Sequence, residues 1–273
     1  MGRSLAEWLV RWRWLLVVLA FAFVAFAASG LRYYGFSNDY RIFFSAENPQ
    51  LLAFENLQNT YTKADNVLFV IAPADGKVFT PQTLEAVEWL TEQAWQIPYS
   101  IRVDSLSNFQ HTYAEGDDLI VEDLVMDAAQ LSPAELEKIR AVAIHEPLLV
   151  NRIVSPAGHV TAVNVIIQLP GIAPAAEVPG VVGVSRDLAR QLTERYPQLE
   201  VHLTGIVLLN NAFTEQSIKD LLTLVPAMFG IITLILAVLL RSLWGTLATL
   251  LVITLSIITA IGMAFWLGIT LTP

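Results

Sequence analysis

Two long apolar runs near the C-terminal end of the sequence constrain the fold more than any other feature. Residues 221–240 and 243–269 contain no charged side chain, and only Arg241 and Ser242 separate them. Each run has at least the length of about 20 residues that an α-helix needs to cross the hydrocarbon core of a bilayer. Because a segment in lipid must satisfy its own backbone hydrogen bonds, each run is expected to be helical. The pair is therefore predicted to form a membrane hairpin with its turn at 241–242.

Small side chains recur at every fourth position of the second run, and this spacing places them on one side of a helix. The residues of this stripe are Ser256, Ala260, Ala264 and Gly268. Small residues let another helix approach closely, so the stripe predicts a helix-packing surface. The alternative is that small residues are simply common in membrane helices.

A third apolar stretch, residues 14–31, follows Arg3, Arg11 and Arg13 near the N-terminus. It is predicted to be the first membrane span, with residues 1–13 in the cytoplasm. The alternative is a secretory signal peptide, because residues 25–27 (AFA) have the small–any–small form of a cleavage site. Both interpretations give the same orientation of the chain in the membrane.

Positive charge lies at the membrane ends of the sequence, and negative charge lies in the middle. Residues 32–220 hold 12 basic and 24 acidic side chains, a net charge of −12. Such a segment is a poor ligand for nucleic acid, because the phosphate backbone repels it. Arginine in short loops marks the cytoplasmic side, so the turn at Arg241 is expected inside the cell. Residues 32–220 and the end at 270–273 are then expected outside.

The segment between the first and second spans has the pattern of one α+β domain. Strands are predicted at 66–72, 100–106, 159–169 and 199–204, and helices at 51–61, 180–196 and 210–220. Two more helices begin where a capping residue precedes proline, at Thr80 and at Ser132. Without the helix at Ser132 the order is strand–helix–strand twice, which is the split βαβ or ferredoxin-like order.

Between the two halves of this domain, residues 107–158 are predicted to be an insertion. It begins with an irregular acidic stretch and continues with the helix that starts at Ser132. Residues 171–180 are predicted to be a loop, because Pro174 and Pro179 lie within this stretch and Pro170 directly precedes it.

The sequence gives only weak evidence for catalytic or metal-binding residues. Residues 183–187 (GVSRD) begin like a nucleophile elbow but lack its last glycine, and Ser185 is predicted to face solvent from a helix. The acidic residues between 115 and 127 do not follow the order of an EF-hand loop. The histidines lack the spacing of metal ligands: His111, His145, His159 and His202. There is also no cysteine, and no phosphate-binding glycine loop is present. The sequence therefore predicts no enzyme, metal site or cofactor.

The three apolar runs contain no ionisable side chain. Transporters that are coupled to protons carry such groups within their membrane helices. The threonine hydroxyls of the third run are expected to bond to carbonyls of their own helix and not to line a pathway.

Four short motifs lie outside the apolar runs: residues 38–44 (NDYRIFF), 98–109 (PYSIRVDSLSNF), 116–121 (GDDLIV) and 203–205 (LTG). Together with the order of one span, an external domain and a tightly turned pair of spans, they resemble the first part of RND-superfamily transporters. The resemblance is greatest to the MMPL-type bacterial branch. It implies a multi-pass protein of the bacterial inner membrane.

The resemblance also implies a function. In that family the external domain captures substrate, here a hydrophobic or amphipathic small molecule or lipid, and the proton motive force drives export through charged residues in later spans. The sequence lacks the fourth span that usually carries the acidic coupling residue. It is therefore expected to be the N-terminal portion of a transporter, whose partners are the remaining spans or other subunits. The alternative is a membrane-anchored extracytoplasmic binding or assembly module without transport activity.

Overall fold

The computed structural model of the protein describes residues 8, 10–33, 44–45, 47–61 and 65–269. The motif at 38–43, Arg3 and the end at 270–273 lie outside the described residues. The chain divides into two compact units, Met1–Phe43 with Phe213–Pro273, and Phe44–Ala212. Three helices are long and apolar enough to cross a membrane. The predicted fold class, three membrane helices with an α+β domain, is confirmed.

The elements, in chain order, are α1 (Arg13–Ala28), α2 (Pro49–Thr60), β1 (Asp65–Pro73), α3 (Pro81–Ala94), β2 (Ser100–Asp104), β3 (Gln110–Glu115), β4 (Asp118–Asp123), α4 (Pro133–His145), β5 (Thr161–Ile167), α5 (Pro174–Arg195), β6 (Leu199–Thr204), α6 (Ile206–Leu240) and α7 (Leu243–Trp266). A 3₁₀ turn at Ser29–Tyr33 extends α1, and another lies at Ala128–Gln130.

The α+β domain is built on a four-stranded sheet in the order β2-β5-β1-β6, in which every neighbouring pair is antiparallel. Helix α3 connects β1 to β2, and α5 connects β5 to β6. In each case a third strand lies between the two strands that the helix joins. This is the split βαβ arrangement that the element order predicts.

Alternating side chains of the central strands form the core. Val67, Phe69 and Ile71 of β1 are fully buried, as are Val163 and Val165 of β5, because successive strand residues point to opposite faces. Buried apolar side chains of α3 and α5 cover this face: Leu84, Val87, Leu90, Ala94, Val181, Leu188 and Leu192. The helix starts are also as predicted, since the Thr80 and Ser132 side chains cap α3 and α4.

The acidic stretch after β2 is not irregular, and that prediction is wrong. Strands β3 and β4 pair as an antiparallel hairpin in which Glu115 faces Asp118 across a two-residue turn. Gly116 opens the turn with φ +64, a conformation that glycine adopts at no steric cost. The Tyr113 hydroxyl donates to the Glu122 carboxylate at 3.0 Å, and this hydrogen bond raises the pKa of Tyr113.

The predicted loop at 171–180 is also wrong beyond its first residues, because α5 begins at Pro174. Proline suits the first turn of a helix, where its missing N–H has no partner to lose. The Glu177 carboxylate accepts the backbone N–H groups of Ala173, Gly171 and Ile172 at 2.7, 2.9 and 3.0 Å. These bonds, that from Ala173 above all, lower the pKa of Glu177 although its burial opposes the charge.

Helix α6 runs without a break from the end of β6 through the second apolar run to Leu240. Arg241, with φ +48, turns the chain, and the Ser242 hydroxyl accepts the Gly245 N–H at 3.2 Å to cap α7. The two-residue turn between the second and third spans is thus formed as the sequence predicts.

Candidate functional site

Ser185, the serine of the elbow-like motif, is fully buried on the inward face of α5. The prediction that it faces solvent is therefore wrong. Its hydroxyl donates to the Val181 carbonyl of the same helix at 2.8 Å. A fully buried hydroxyl that bonds to a carbonyl of its own helix is not accessible to a substrate, so this motif is structural.

A serine and a histidine do meet in the turn before β5. The Ser155 Oγ atom lies 3.0 Å from His159 Nδ1. The same oxygen accepts the backbone N–H groups of His159 and Val160, both at 3.1 Å. These three contacts close the six-residue turn, and among the described residues no third side chain hydrogen-bonds to His159 to orient it as in a catalytic pair.

The acidic residues and histidines of the domain are spread over its surface. Within the described part of the chain, no three histidine, aspartate or glutamate side chains come close enough to hold a metal ion. His111 stacks on Tyr113 with ring centroids 5.5 Å apart, and His202 pairs with Glu200 at 3.1 Å. His145 bonds the Ala141 carbonyl of its own helix at 2.8 Å.

The motif at 98–109 forms a polar clamp, which consists of Thr91, Ser105, Ser107 and Asn108. The Ser105 Oγ atom lies 2.8 to 3.0 Å from polar atoms of the other three side chains. Asn108 also donates to the Val103 carbonyl at 2.6 Å. Because these hydroxyls are buried and bond to one another, the clamp ties the end of β2 to α3 and has no group left for a substrate.

The motif at 203–205 forms the junction between the sheet and α6. Gly205 has φ +116, and a Cβ atom there would overlap the Asn66 carbonyl oxygen. The Asn66 Oδ1 atom accepts the Ile206 N–H at 3.3 Å, and its Nδ2 donates to Asn164 at 2.8 Å. A single glycine therefore turns the chain from β6 directly into the helix that becomes the second span.

The first and third spans cross at a point where two glycines meet. Gly30 and Gly262 are buried, and Ala27 beside them is fully buried. A Cβ atom at Gly30 would overlap the Gly262 carbonyl oxygen, and one at Gly262 would overlap the Ala27 carbonyl oxygen. Glycine at both positions lets the two backbones touch, as small residues do in membrane helix pairs.

Aromatic rings and one arginine join the C-terminal ends of α1 and α7. The Trp266 ring stacks on Phe26 with centroids 5.6 Å apart and meets the Tyr33 ring edge-on at 5.1 Å. The Trp266 Nε1–H donates to the Ser29 hydroxyl at 3.3 Å. The Arg32 guanidinium carbon lies 4.8 Å from the Tyr33 ring centroid and 5.2 Å from that of Trp266. We name Phe26, Ser29, Arg32, Tyr33 and Trp266 the span-end cluster.

The predicted stripe on α7 is a different surface from the Gly262 contact. Ala260 and Ala264 each lie about 160° around the helix from Gly262. On α7, Ser256 and Ala260 are exposed and Ala264 is half-buried, whereas Gly268 lies beyond the end of the helix, with φ +74. The stripe therefore stays a prediction of a further helix contact. The α1–α7 crossing was not predicted, although Gly30 and Gly262 within the apolar runs were a signal for it.

The four threonine hydroxyls of α7 bond as predicted. Thr246, Thr249, Thr254 and Thr259 each donate to the carbonyl four residues earlier in the helix, at 2.7 to 3.0 Å. None of these four side chains is therefore arranged to line a polar pathway.

Comparison with known protein families gives one match. The model of the MMPL family matches residues 60–272, which is most of the chain and includes the polar clamp, the Gly205 junction and α7. No curated protein matches the chain.

Proposed function

Because the chain belongs to the MMPL family, whose members are transporters rather than enzymes, we propose that it is part of an exporter of hydrophobic or amphipathic molecules. In this proposal the α+β domain collects the substrate and the proton motive force drives its release. The observation that best supports this role is the Gly205 junction. At this junction one residue, Gly205, separates β6 from α6, the helix that contains the second apolar run.

The proton relay of this exporter is proposed to lie outside residues 1–273. The three apolar runs, 14–31, 221–240 and 243–269, carry no ionisable side chain, and a group that loads and releases a proton in the membrane must be ionisable. The relay then belongs to further spans or to a partner subunit, and the stripe of Ser256, Ala260, Ala264 and Gly268 is the surface proposed to receive one of them.

The export proposal can be tested with the dye Nile red in the host that carries the gene. Deleting the gene is expected to raise dye accumulation, and the wild-type gene is expected to lower it until a protonophore is added. Gly205→Val should fail to restore export, because its side chain would overlap the Asn66 backbone. Gly180→Val is the matched control, since a Cβ atom at Gly180 meets nothing within 4 Å.

Each result of this test has a defined meaning. If deletion leaves Nile red accumulation unchanged, an anchored binding or assembly module replaces the exporter as the proposed function. If export is restored but insensitive to the protonophore, the proton motive force is not its energy source. If Gly205→Val restores export while present in the membrane at the wild-type level, the Gly205 junction does not support the proposal.

We also propose that the α+β domain lies on the periplasmic side of the inner membrane. The arginines before α1 and Arg241 in the short turn would then lie in the cytoplasm. The first span is proposed to be retained, because Ala27 within the cleavage-like motif is buried against Gly262.

The orientation predicts the labelling of single cysteines, which is simple to read because the chain has none of its own. A cysteine at Ser155, in the α+β domain, is expected to react with an impermeant maleimide in intact cells. A cysteine at Ser242, in the turn, is expected to react only after the cells are broken. Labelling of Ser242→Cys in intact cells together with protection of Ser155→Cys would reverse the orientation.

A further inference from the structure

The span-end cluster lies where the headgroups of a bilayer meet a membrane helix. From Arg13 to Arg32 the chain follows α1 and its 3₁₀ extension, a path of about 30 Å. That is about the thickness of the hydrocarbon core. With Arg13 at one surface, Arg32 lies at the level of the lipid phosphates on the other.

The guanidinium group of Arg32 is held by aromatic rings from two spans. It lies over the Tyr33 ring beside α1 and over the Trp266 ring at the end of α7. Trp266 is itself fixed by its stacking on Phe26 and by its hydrogen bond to Ser29. The position of the charge is therefore determined by the α1–α7 pair and not by Arg32 alone.

In this arrangement the N–H groups of the Arg32 guanidinium can still bind an anion. Rings that attract a guanidinium group do so through its flat face, and the N–H groups around its edge stay available. Those N–H groups match two oxygens of a phosphate in a bidentate pair. Among the described residues, no carboxylate forms an ion pair with Arg32.

The apolar surroundings determine which phosphate compound fits. Phe26 and Leu31 are 56% and 44% exposed beside Arg32, and Leu267 after Trp266 is 72% exposed. A soluble phosphate ion would leave these side chains uncovered, whereas the acyl chains of a lipid would cover them. We propose that Arg32 binds the phosphodiester of an anionic phospholipid at the membrane surface where α1 and α7 end.

The binding can be measured on the full chain, purified in detergent and freed of lipid. Dioleoylphosphatidylglycerol is added in steps, and the bound lipid is counted by native mass spectrometry. Wild type is expected to bind one lipid about tenfold or more tightly than Arg32→Gln, because a charge-assisted bidentate pair is lost. Arg32→Lys keeps the positive charge over both rings but loses the planar fork, so a smaller loss is expected.

Two further arms identify the ligand and the site. Arg13→Gln removes the same charge from the opposite end of α1, where the Arg13 guanidinium carbon lies 5.9 Å from the Trp14 ring centroid. It is expected to retain the tight lipid. Millimolar inorganic phosphate is expected not to displace that lipid.

The results that overturn the proposal are distinct. Equal lipid affinity of wild type and Arg32→Gln would show that Arg32 does not bind the headgroup. Equal losses in Arg32→Gln and Arg13→Gln would show that the attraction is not specific to the span-end cluster. Displacement of the lipid by inorganic phosphate would assign the site to a soluble anion. A wild-type melting temperature for Arg32→Lys with weakened lipid binding would support it, because the loss would not come from unfolding.

Discussion

Val165→Asp is expected to unfold the α+β domain. Val165 is fully buried in β5, where it faces Val67 of β1 and Val103 of β2 in the register of the sheet. An aspartate there would bury an unpaired carboxylate, at a cost of several kcal/mol. Domains of this kind are stable by only about 5–15 kcal/mol, so the change removes a large part of that stability.

Hydrogen exchange of the full chain, followed by mass spectrometry, measures this effect. Peptides from β1 and β5 are expected to lose protection in Val165→Asp. Val121→Asp makes the same change on β4, where the side chain is 54% exposed, and is expected to alter stability by less than about 0.5 kcal/mol. Equal protection of the sheet in Val165→Asp and in wild type would contradict the core assignment.

The sheet could be predicted because its strands carry two simple signals. β1 and β5 are short, mainly apolar runs, and both are rich in valine and isoleucine, which predicts buried strands. The alternate burial along them is seen only in the structure. The starts of α3 and α4 could also be predicted, because a threonine or serine directly before proline is typical of a helix N-terminus. The order of these elements then leaves few possible topologies.

Sequence reasoning missed the β3–β4 hairpin and the first turn of α5, because both depend on local interactions that composition does not indicate. The β3–β4 hairpin holds five acidic residues among its fourteen, which favours an irregular surface stretch. The signal for the hairpin is the pair Gly116-Asp117, a turn dipeptide between the two strands. The sequence predicts a loop over the first turn of α5, because Pro174 and Pro179 are typical of a chain that leaves regular structure. The carboxylate of Glu177, which binds three N–H groups before the helix, offsets that tendency.

Some functional features could likewise be noticed in the sequence, and others are seen only in the structure. The motifs at 98–109 and 203–205 could be noticed in sequence, yet only the structure assigns them to the polar clamp and the Gly205 junction. The span-end cluster could not be predicted, because Arg32 and Trp266 are 234 positions apart and meet through the packing of α1 on α7. Contacts at that separation leave no periodic signal within either helix.

Gly262→Leu is expected to open the crossing of α1 and α7. A Cβ atom at Gly262 would overlap the Ala27 carbonyl oxygen, which belongs to the backbone and cannot turn aside as a side chain would. Helices that pack through larger side chains lie about 8–10 Å apart, farther than two helices in contact through glycine. The spans should therefore separate by about 2 Å or more, and the contact of Trp266 with Ser29 should be lost.

Nitroxide labels on single cysteines at Val18 of α1 and Leu251 of α7 measure the separation by double electron–electron resonance. Both side chains are exposed, and no native cysteine competes for the label. Gly230→Leu makes the same change in α6, where a Cβ atom meets nothing within 4 Å, and should leave the distance unchanged. A distance in Gly262→Leu equal to that of wild type would mean that the two glycines are not the contact that sets the spacing. A longer distance together with weakened phosphatidylglycerol binding would show that Arg32 depends on the crossing for its position.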